Sequence, residues 1–245
     1  GESWTALATT RDNPAFFFVN DLVISPHDSN RLYAATSLGL YRSRDGGESW
    51  QQVLDRTTPH DGCSDLEWRP GAETDYLYAA CGRRSTPATI FRQKAAEGDG
   101  EWEALLSEAN MGRSVIAVAP SQPDMVYVLT SSNETGVWRD GLYAVFRSTA
   151  AGDKDSWEKR VTNQSPVRMN TALLTNQSGF FSDICSGGTQ RVLSQGWYDI
   201  ALTVDPVNPE RVWAGGIDLF RSDDGGANWG LVSDWFFSPG DPTYV

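Results

Sequence analysis

An all-β chain of repeated four-stranded antiparallel sheets is the fold this sequence predicts, on three observations. The first is a stretch, Ser43-Arg44-Asp45-Gly46-Gly47-Glu48-Ser49-Trp50, that returns with the same spacing as Ser222-Asp223-Asp224-Gly225-Gly226-Ala227-Asn228-Trp229. A stretched copy runs from Ser148 through Asp153 to Trp157, and a worn copy from Gln93 through Asp99-Gly100 to Trp102. The opening residues Gly1-Glu2-Ser3-Trp4 match the tail of a fifth. The second observation is an aromatic-Arg strand end before each copy: Tyr41-Arg42, Phe91-Arg92, Phe146-Arg147 and Phe220-Arg221. The third is a proline closing the first strand of each unit, at Pro26, Pro70, Pro120 and Pro206. Short strands punctuated by Pro, Asn and Gly turns at a fixed period are the mark of a repeat architecture.

The recurring stretch has a structural chemistry. Its Asp carboxylate can accept hydrogen bonds from turn N–H groups. Its Gly pair supplies positive φ without a Cβ clash. Its Trp starts the next strand and lays its ring under the turn. The stretch therefore reads as a locked hairpin turn between third and fourth strands, with no catalytic role.

The elements follow in order. Ser3–Leu7 reads as the last strand of an earlier unit, and residues 8–18 as a loop ending in Phe16-Phe17-Phe18, which is expected to pack between units. Unit one takes Val19–Ser25, Arg31–Thr36, Leu40–Ser43 and Trp50–Leu54. Unit two takes Asp65–Arg69, Tyr76–Cys81, Thr89–Gln93 and Trp102–Leu106. Unit three takes Val115–Ala119, Met125–Thr130, Leu142–Ser148 and Trp157–Val161. Unit four takes Asp199–Val204, Arg211–Ala214, Ile217–Ser222 and Trp229–Val232. Residues 162–198, rich in Asn, Gln, Ser, Thr and Gly, read as a long inserted loop, a feature usually tied to function or disorder.

The Ser-x-Asp-x-Gly-x-x-Trp pattern resembles the Asp-box (BNR) repeat of sialidases, xyloglucanase-type glycoside hydrolases and sortilin-type receptor domains. The resemblance implies a β-propeller of four-stranded blades, here 15–56, 62–106, 113–161 and 199–234. Residues 1–7 would belong to a preceding blade and 235–245 would link to a next one, so the expectation is a piece of a larger propeller. It assigns the box role to Ser43, Asp45, Gly47 and Trp50, to Ser148, Asp153 and Trp157, and to Ser222, Asp224, Gly226 and Trp229. A fold of this kind hosts many activities, so function must be argued from the site.

Composition narrows the classes. A net charge of −12 argues against a nucleic-acid surface. Cations are nearly all Arg, with Lys only at 94, 154 and 159. No apolar run approaches the ~20 residues of a membrane-spanning helix. Two His far apart argue against a metal-binding His cluster or a Ser-His-Asp hydrolase, and no Gly-rich loop leads into a helix to cradle phosphate. No cofactor or metal is expected. Cys63 and Cys81 flank a predicted hairpin and read either as a disulfide, in an exported protein, or as two buried thiols; Cys185 stands alone. Asn133, Asn163 and Asn176 begin glycosylation sequons.

In a propeller the inter-blade links and the loops between second and third strands share one face, and the boxes lie on the other. That selects Asp21, Asp65 and Asp199, near the starts of innermost strands, as carboxylates for general acid–base hydrolysis of a glycoside. Each can instead hydrogen-bond a neighbouring blade's backbone. Arg83, Arg84, Arg113, Trp138, Arg139, Trp197, Tyr198 and Trp235 are candidate ligand contacts on that face, since aromatic faces stack on sugars and Arg forks hold carboxylates; each can also simply pack or pair locally. Sialidases carry an Arg-Ile-Pro motif, absent here. Xyloglucanase-type relatives carry a catalytic Asp after a second strand near a Gly pair. The counterpart in unit one, Thr36-Ser37-Leu38-Gly39, has no acid, whereas Gly215-Gly216-Ile217-Asp218 makes Asp218 a fourth catalytic candidate. Two functions are expected in contention: a secreted or periplasmic propeller acting on or binding a polysaccharide, and a noncatalytic sortilin-like binder of peptide or glycan. Association through open blade surfaces, with other blades or a second copy, is also expected.

Overall fold

The computed structural model describes residues 2–56, 61–175 and 194–233. They belong to two compact units, residues 1–109 and 110–245. Each unit contains two four-stranded antiparallel sheets whose strands follow chain order.

In unit 1 a short helix, α1 (Ala8–Arg11), and a 3₁₀ turn at Pro14–Phe16 precede the first blade: β1 (Val19–Ile24), β2 (Leu32–Thr36), β3 (Gly39–Ser43) and β4 (Gln51–Asp55). The second blade is β5 (Cys63–Trp68), β6 (Leu77–Cys81), β7 (Thr89–Gln93) and β8 (Glu103–Ser107). In unit 2 the third blade is β9 (Met111–Val118), β10 (Val126–Ser132), β11 (Leu142–Ser148) and β12 (Glu158–Thr162). After helix α2 (Arg168–Thr171) comes the fourth: β13 (Ala201–Val204), β14 (Val212–Gly215), β15 (Leu219–Ser222) and β16 (Gly230–Ser233). Every strand predicted within the four blades is present, with ends moved by a few residues. These are β-propeller blades.

The second strands are the core. All seven residues of β10 and all five of β6 are buried, as expected for strands flanked by partners and covered on both faces. In unit 1, Tyr33, Ala35 and Leu40 of blade one pack with Leu66, Leu77 and Ala79 of blade two. In unit 2, Val115, Tyr127 and Val145 of blade three pack with Val204, Val212 and Phe220 of blade four. Buried polar bonds reinforce the pairing. Asp75 accepts from Ser25 Oγ at 2.6 Å and Tyr33 OH at 2.7 Å, and Tyr127 OH donates to Pro209 O at 2.9 Å.

Two of the aromatic-Arg pairs, at Arg42 and Arg147, are clamps between blades. Arg42, 1% exposed, donates to Gln51 of its own outer strand and reaches Ala96 O and Asp99 in blade two. Arg147 pairs with Glu158 of its own blade at 3.2 Å and with Glu210 of blade four at 3.0 Å. Burying a guanidinium is costly unless its charge finds partners of this kind.

Three expectations need correction. Residues 2–7 form no strand and run instead into α1. Leu7 lies so close to the first box that a Cβ on Gly47 would meet Leu7 Cδ1 at 2.7 Å, and Thr9 Oγ1 donates to Gly47 O at 2.9 Å. This segment is a cover for the box. Second, the stretch from Thr162 onward is not loop throughout. Ala172, Leu173 and Leu174 are buried in the core of unit 2, and Asn170 is 2% exposed. Third, Phe16 packs on Tyr41 and Trp50 at 5.3 and 4.9 Å within blade one, while Phe17 and Phe18 are 62% and 70% exposed rather than held between blades. His60, Asn176, Cys185, Trp235 and the 235–245 link lie outside the described residues.

Candidate functional site

The two complete boxes are built alike. Ser43 Oγ donates to Asp45 Oδ1 at 2.8 Å and accepts from Gly47 N at 2.8 Å. Asp45 also accepts from the Ser49 amide at 2.8 Å and hydroxyl at 2.6 Å, and Trp50 Nε1 donates to Gly47 O at 3.1 Å. Gly46 and Gly47 stand at φ 70° and 96°, a region costly for residues with a Cβ. In blade four Asp224 accepts from the Ala227 and Asn228 amides and from Asn228 Nδ2, while Trp229 Nε1 donates to Gly226 O. The stretched copy keeps the outline: Ser148 Oγ contacts Ser156 Oγ at 2.7 Å and accepts from Gly152 N at 3.0 Å, and the Asp153 carbonyl accepts from the Ser156 amide. Trp157 Nε1 still donates, to Gly152 O at 3.1 Å. These residues are consumed by the turn and leave no reactive group.

Asp21 has the tie to a neighbouring blade that its position allows. Oδ1 accepts from its neighbour Leu22 N at 2.8 Å, and Oδ2 from Leu66 N of blade two at 2.9 Å. Burial pushes its pKa up, and the two N–H bonds pull it partly back. Asp65 occupies the equivalent position: Asp21 sits opposite Ala35 and Asp65 opposite Ala80. Asp199, half-buried, donates its amide to Gln195 O at 2.7 Å just before β13. Asp218, 3% exposed, lies between β14 and β15, where its carbonyl accepts from Gly216 N at 3.0 Å. Asp21 and Asp65 therefore belong to unit 1 and Asp199 and Asp218 to unit 2.

Unit 2 brings several predicted ligand contacts together on the loop face. Arg113 on β9 donates to Trp197 O, and the rings of Trp197 and Tyr198 lie 5.5 Å apart. Tyr198 is 66% exposed and Trp197 37%. The segment is pinned by Gly196 N, which donates to Asp140 O at 2.8 Å. Arg139, exposed, stands 3.8 Å from Asp140, and Trp138 is half-buried with its carbonyl accepting from Gly141 N. The outcome is an open aromatic surface with cations at its edge, suited to a flat, hydroxylated ligand.

In unit 1, Arg83 and Arg84 lie in the loop between β6 and β7, and Arg83 lines a small cleft around Asp61, a residue the sequence did not single out. Oδ1 of Asp61 accepts from Arg84 N at 3.1 Å and Ser85 N at 2.9 Å. Gly62 packs this link against blade one so closely that a Cβ would meet Thr36 O at 2.2 Å. The Cys63–Cys81 disulfide joins paired strand positions directly beneath, settling the alternative left open by the sequence. Asp61 was legible only as one acid among many; its signal is the adjoining Gly62. Asn170 was missed as well. From α2 it donates to Ala227 O and accepts from Trp229 N, covering the fourth box as Leu7 and Thr9 cover the first.

The sequon asparagines at 133 and 163 use their amides internally, on Met111 O at 3.0 Å and Glu134 at 3.3 Å. A larger recess, about 660 Å³, opens beside the fourth box between Arg221, Asp223, Trp229 and Leu231. It lies at the box rather than among the loops, where Arg221 matches the clamp positions of Arg42 and Arg147. Among the described residues no group of three His, Cys, Asp or Glu is placed to hold a metal ion, and no helix is long and apolar enough to cross a membrane.

No protein-family model matches the chain, and no curated protein sequence does.

Solved structures give its fold. The chain is similar to the GH74 xyloglucanase from Xanthomonas campestris, with a TM-score of 0.57 at 20% identity, covering 88% of this chain and 30% of that one. It is similar to the GH74 enzyme of Niastella koreensis, at 0.55 and 18%, covering 86% and 28%. An auxiliary nutrient binding protein from Bacteroides thetaiotaomicron also matches, at 0.52 and 10%, covering 88% and 47%. The chain thus spans less than a third of the length of these GH74 enzymes. At such identities the likeness is one of fold: a β-propeller.

Proposed function

We propose that this chain is part of an exported, glycoside-hydrolase-like propeller whose loop face holds a polysaccharide. The observation that carries the reading is the grouping of Arg113, Trp197 and Tyr198, an exposed aromatic pair beside a guanidinium. A sugar ring presents C–H groups to an aromatic face and hydroxyls to polar neighbours. The Cys63–Cys81 disulfide supports export, because such bonds persist mainly in oxidising compartments. The experiment is affinity electrophoresis of the full chain in xyloglucan and other soluble glucans. Trp197→Ala combined with Tyr198→Ala is expected to weaken retardation at least tenfold; unchanged retardation overturns the reading.

Hydrolysis is the second reading, favoured by the placement of Asp218 beside Gly215-Gly216 in the loop that carries a catalytic Asp in xyloglucanase-type relatives. The acid–base pair would come from Asp199 and Asp218, both in unit 2. Reducing-end release that survives Asp218→Asn unchanged removes that residue from the reaction. Retardation without any release assigns the surface to binding alone.

A further inference from the structure

The cleft around Asp61 belongs to unit 1, whereas the aromatic surface belongs to unit 2, and it is a built site. It encloses about 140 Å³ and is lined by Phe18, Asn20, Ser37, Asp61, Cys63 and Arg83, among others. Asp61 is 5% exposed. One of its oxygens is held by two backbone amides. The other, Oδ2, is buried with no hydrogen-bond partner among the described residues. Arg83 Nε is likewise buried and unpartnered. Buried polar atoms are nearly always satisfied, by protein, water or ligand. Two residues that line one small cleft thus each carry a buried polar atom without a partner, one an acceptor and one a donor, and a guest that offers both can satisfy them.

Four further features narrow that guest. The Asp61 carboxylate interacts electrostatically with Arg56 and shares the cleft lining with Arg83, so its charge is offset without a cationic guest. Asn20 spends Nδ2 on Cys63 O at 2.7 Å, leaving its Oδ1 as an acceptor. Phe18 is 70% exposed, presenting an aromatic face at the rim. The volume is well below the roughly 300–1,000 Å³ of drug-sized pockets, so it suits the edge of one ring and not a length of chain.

We infer that this cleft is a second binding site, taking one terminal sugar ring by a pair of adjacent hydroxyls: one donates to Asp61 Oδ2, its neighbour accepts from Arg83 Nε, and Phe18 covers the apolar side of the ring. The inference rests on the reading of the loop face as saccharide-binding but uses different residues, so the two can fail separately.

The test is saturation-transfer NMR on the full chain with glucose, xylose, galactose and mannose, and in parallel with free glycine and alanine. Asp61→Asn keeps the oxygen that holds the Arg84 and Ser85 amides, and Arg83→Met keeps the stem, so neither should disturb folding; thermal melts check this, and Arg83→Met decides if Asp61→Asn melts early. At least one sugar is expected to bind wild type, and to bind both variants at least tenfold more weakly. Equal binding to Asp61→Asn and Arg83→Met overturns the site, as does binding of the amino acids in place of sugars. Retention of polysaccharide without binding of any monosaccharide overturns this site alone. Loss of both overturns the saccharide reading as well.

Discussion

Asp45 contributes to the fold through its charge. Hydrogen bonds from the Ser49 hydroxyl and amide and from Ser43 hold its pKa below the ordinary carboxylate range. For Asp224, burial pushes the other way, but the bonds from Asn228, Ser222 and Ala227 outweigh it and the pKa is again lowered. A carboxylate with a depressed native pKa adds stability that is fully present above its unfolded pKa, about 3.9 for Asp, and is lost as pH falls through the native value. Urea denaturation across pH 2 to 7 is therefore expected to show stability declining below about pH 4. The double variant Asp45→Asn, Asp224→Asn should start lower at neutral pH and decline less steeply in acid. Parallel curves for the two proteins would show that these carboxylates play no part.

Among the elements, the hairpin of β5 and β6 bears most directly on the proposed second site. The disulfide closes a loop of 18 residues' separation, which by chain entropy contributes about 3 kcal/mol. The bond also ties down both the Asp61 link and the loop bearing Arg83, since Gly82 N donates to Asp61 O and Gly62 O. Cys63→Ala with Cys81→Ala is expected to lower unfolding stability by about 3 kcal/mol in guanidinium titration. Monosaccharide binding at the cleft should fall with it, while polysaccharide retention by the aromatic surface of unit 2 persists.

On the scale of the whole molecule, open blade surfaces stand out. Leu22 and Ile24 on β1 are 55% and 57% exposed, whereas the equivalent Leu66 on β5 is 4% exposed because it packs against blade one. Blade four's recess at Arg221 offers the reciprocal surface. A second copy can cover such faces, and light scattering is expected to give a mass above that of one chain. Leu22→Lys with Ile24→Lys should return it to the monomer; a wild-type monomer at high concentration contradicts this prediction.

The repeat, its strands and its turns were legible from local chemistry alone. The Ser, Asp, Gly and Trp of each box bond within eight residues, so their spacing is their structure. The site was less legible, because it depends on contacts far apart in sequence. Asp21 resembles a catalytic acid until Leu66 N, 45 positions away, is seen to occupy it. Arg113 meets Trp197 across 84 positions. Asp61 matters because Gly62 brings its link against Thr36, and Asn170 because α2 folds back on Trp229. One-dimensional spacing determined the blade; only the packing of links and loops over it decided which polar groups are spent and which face a ligand.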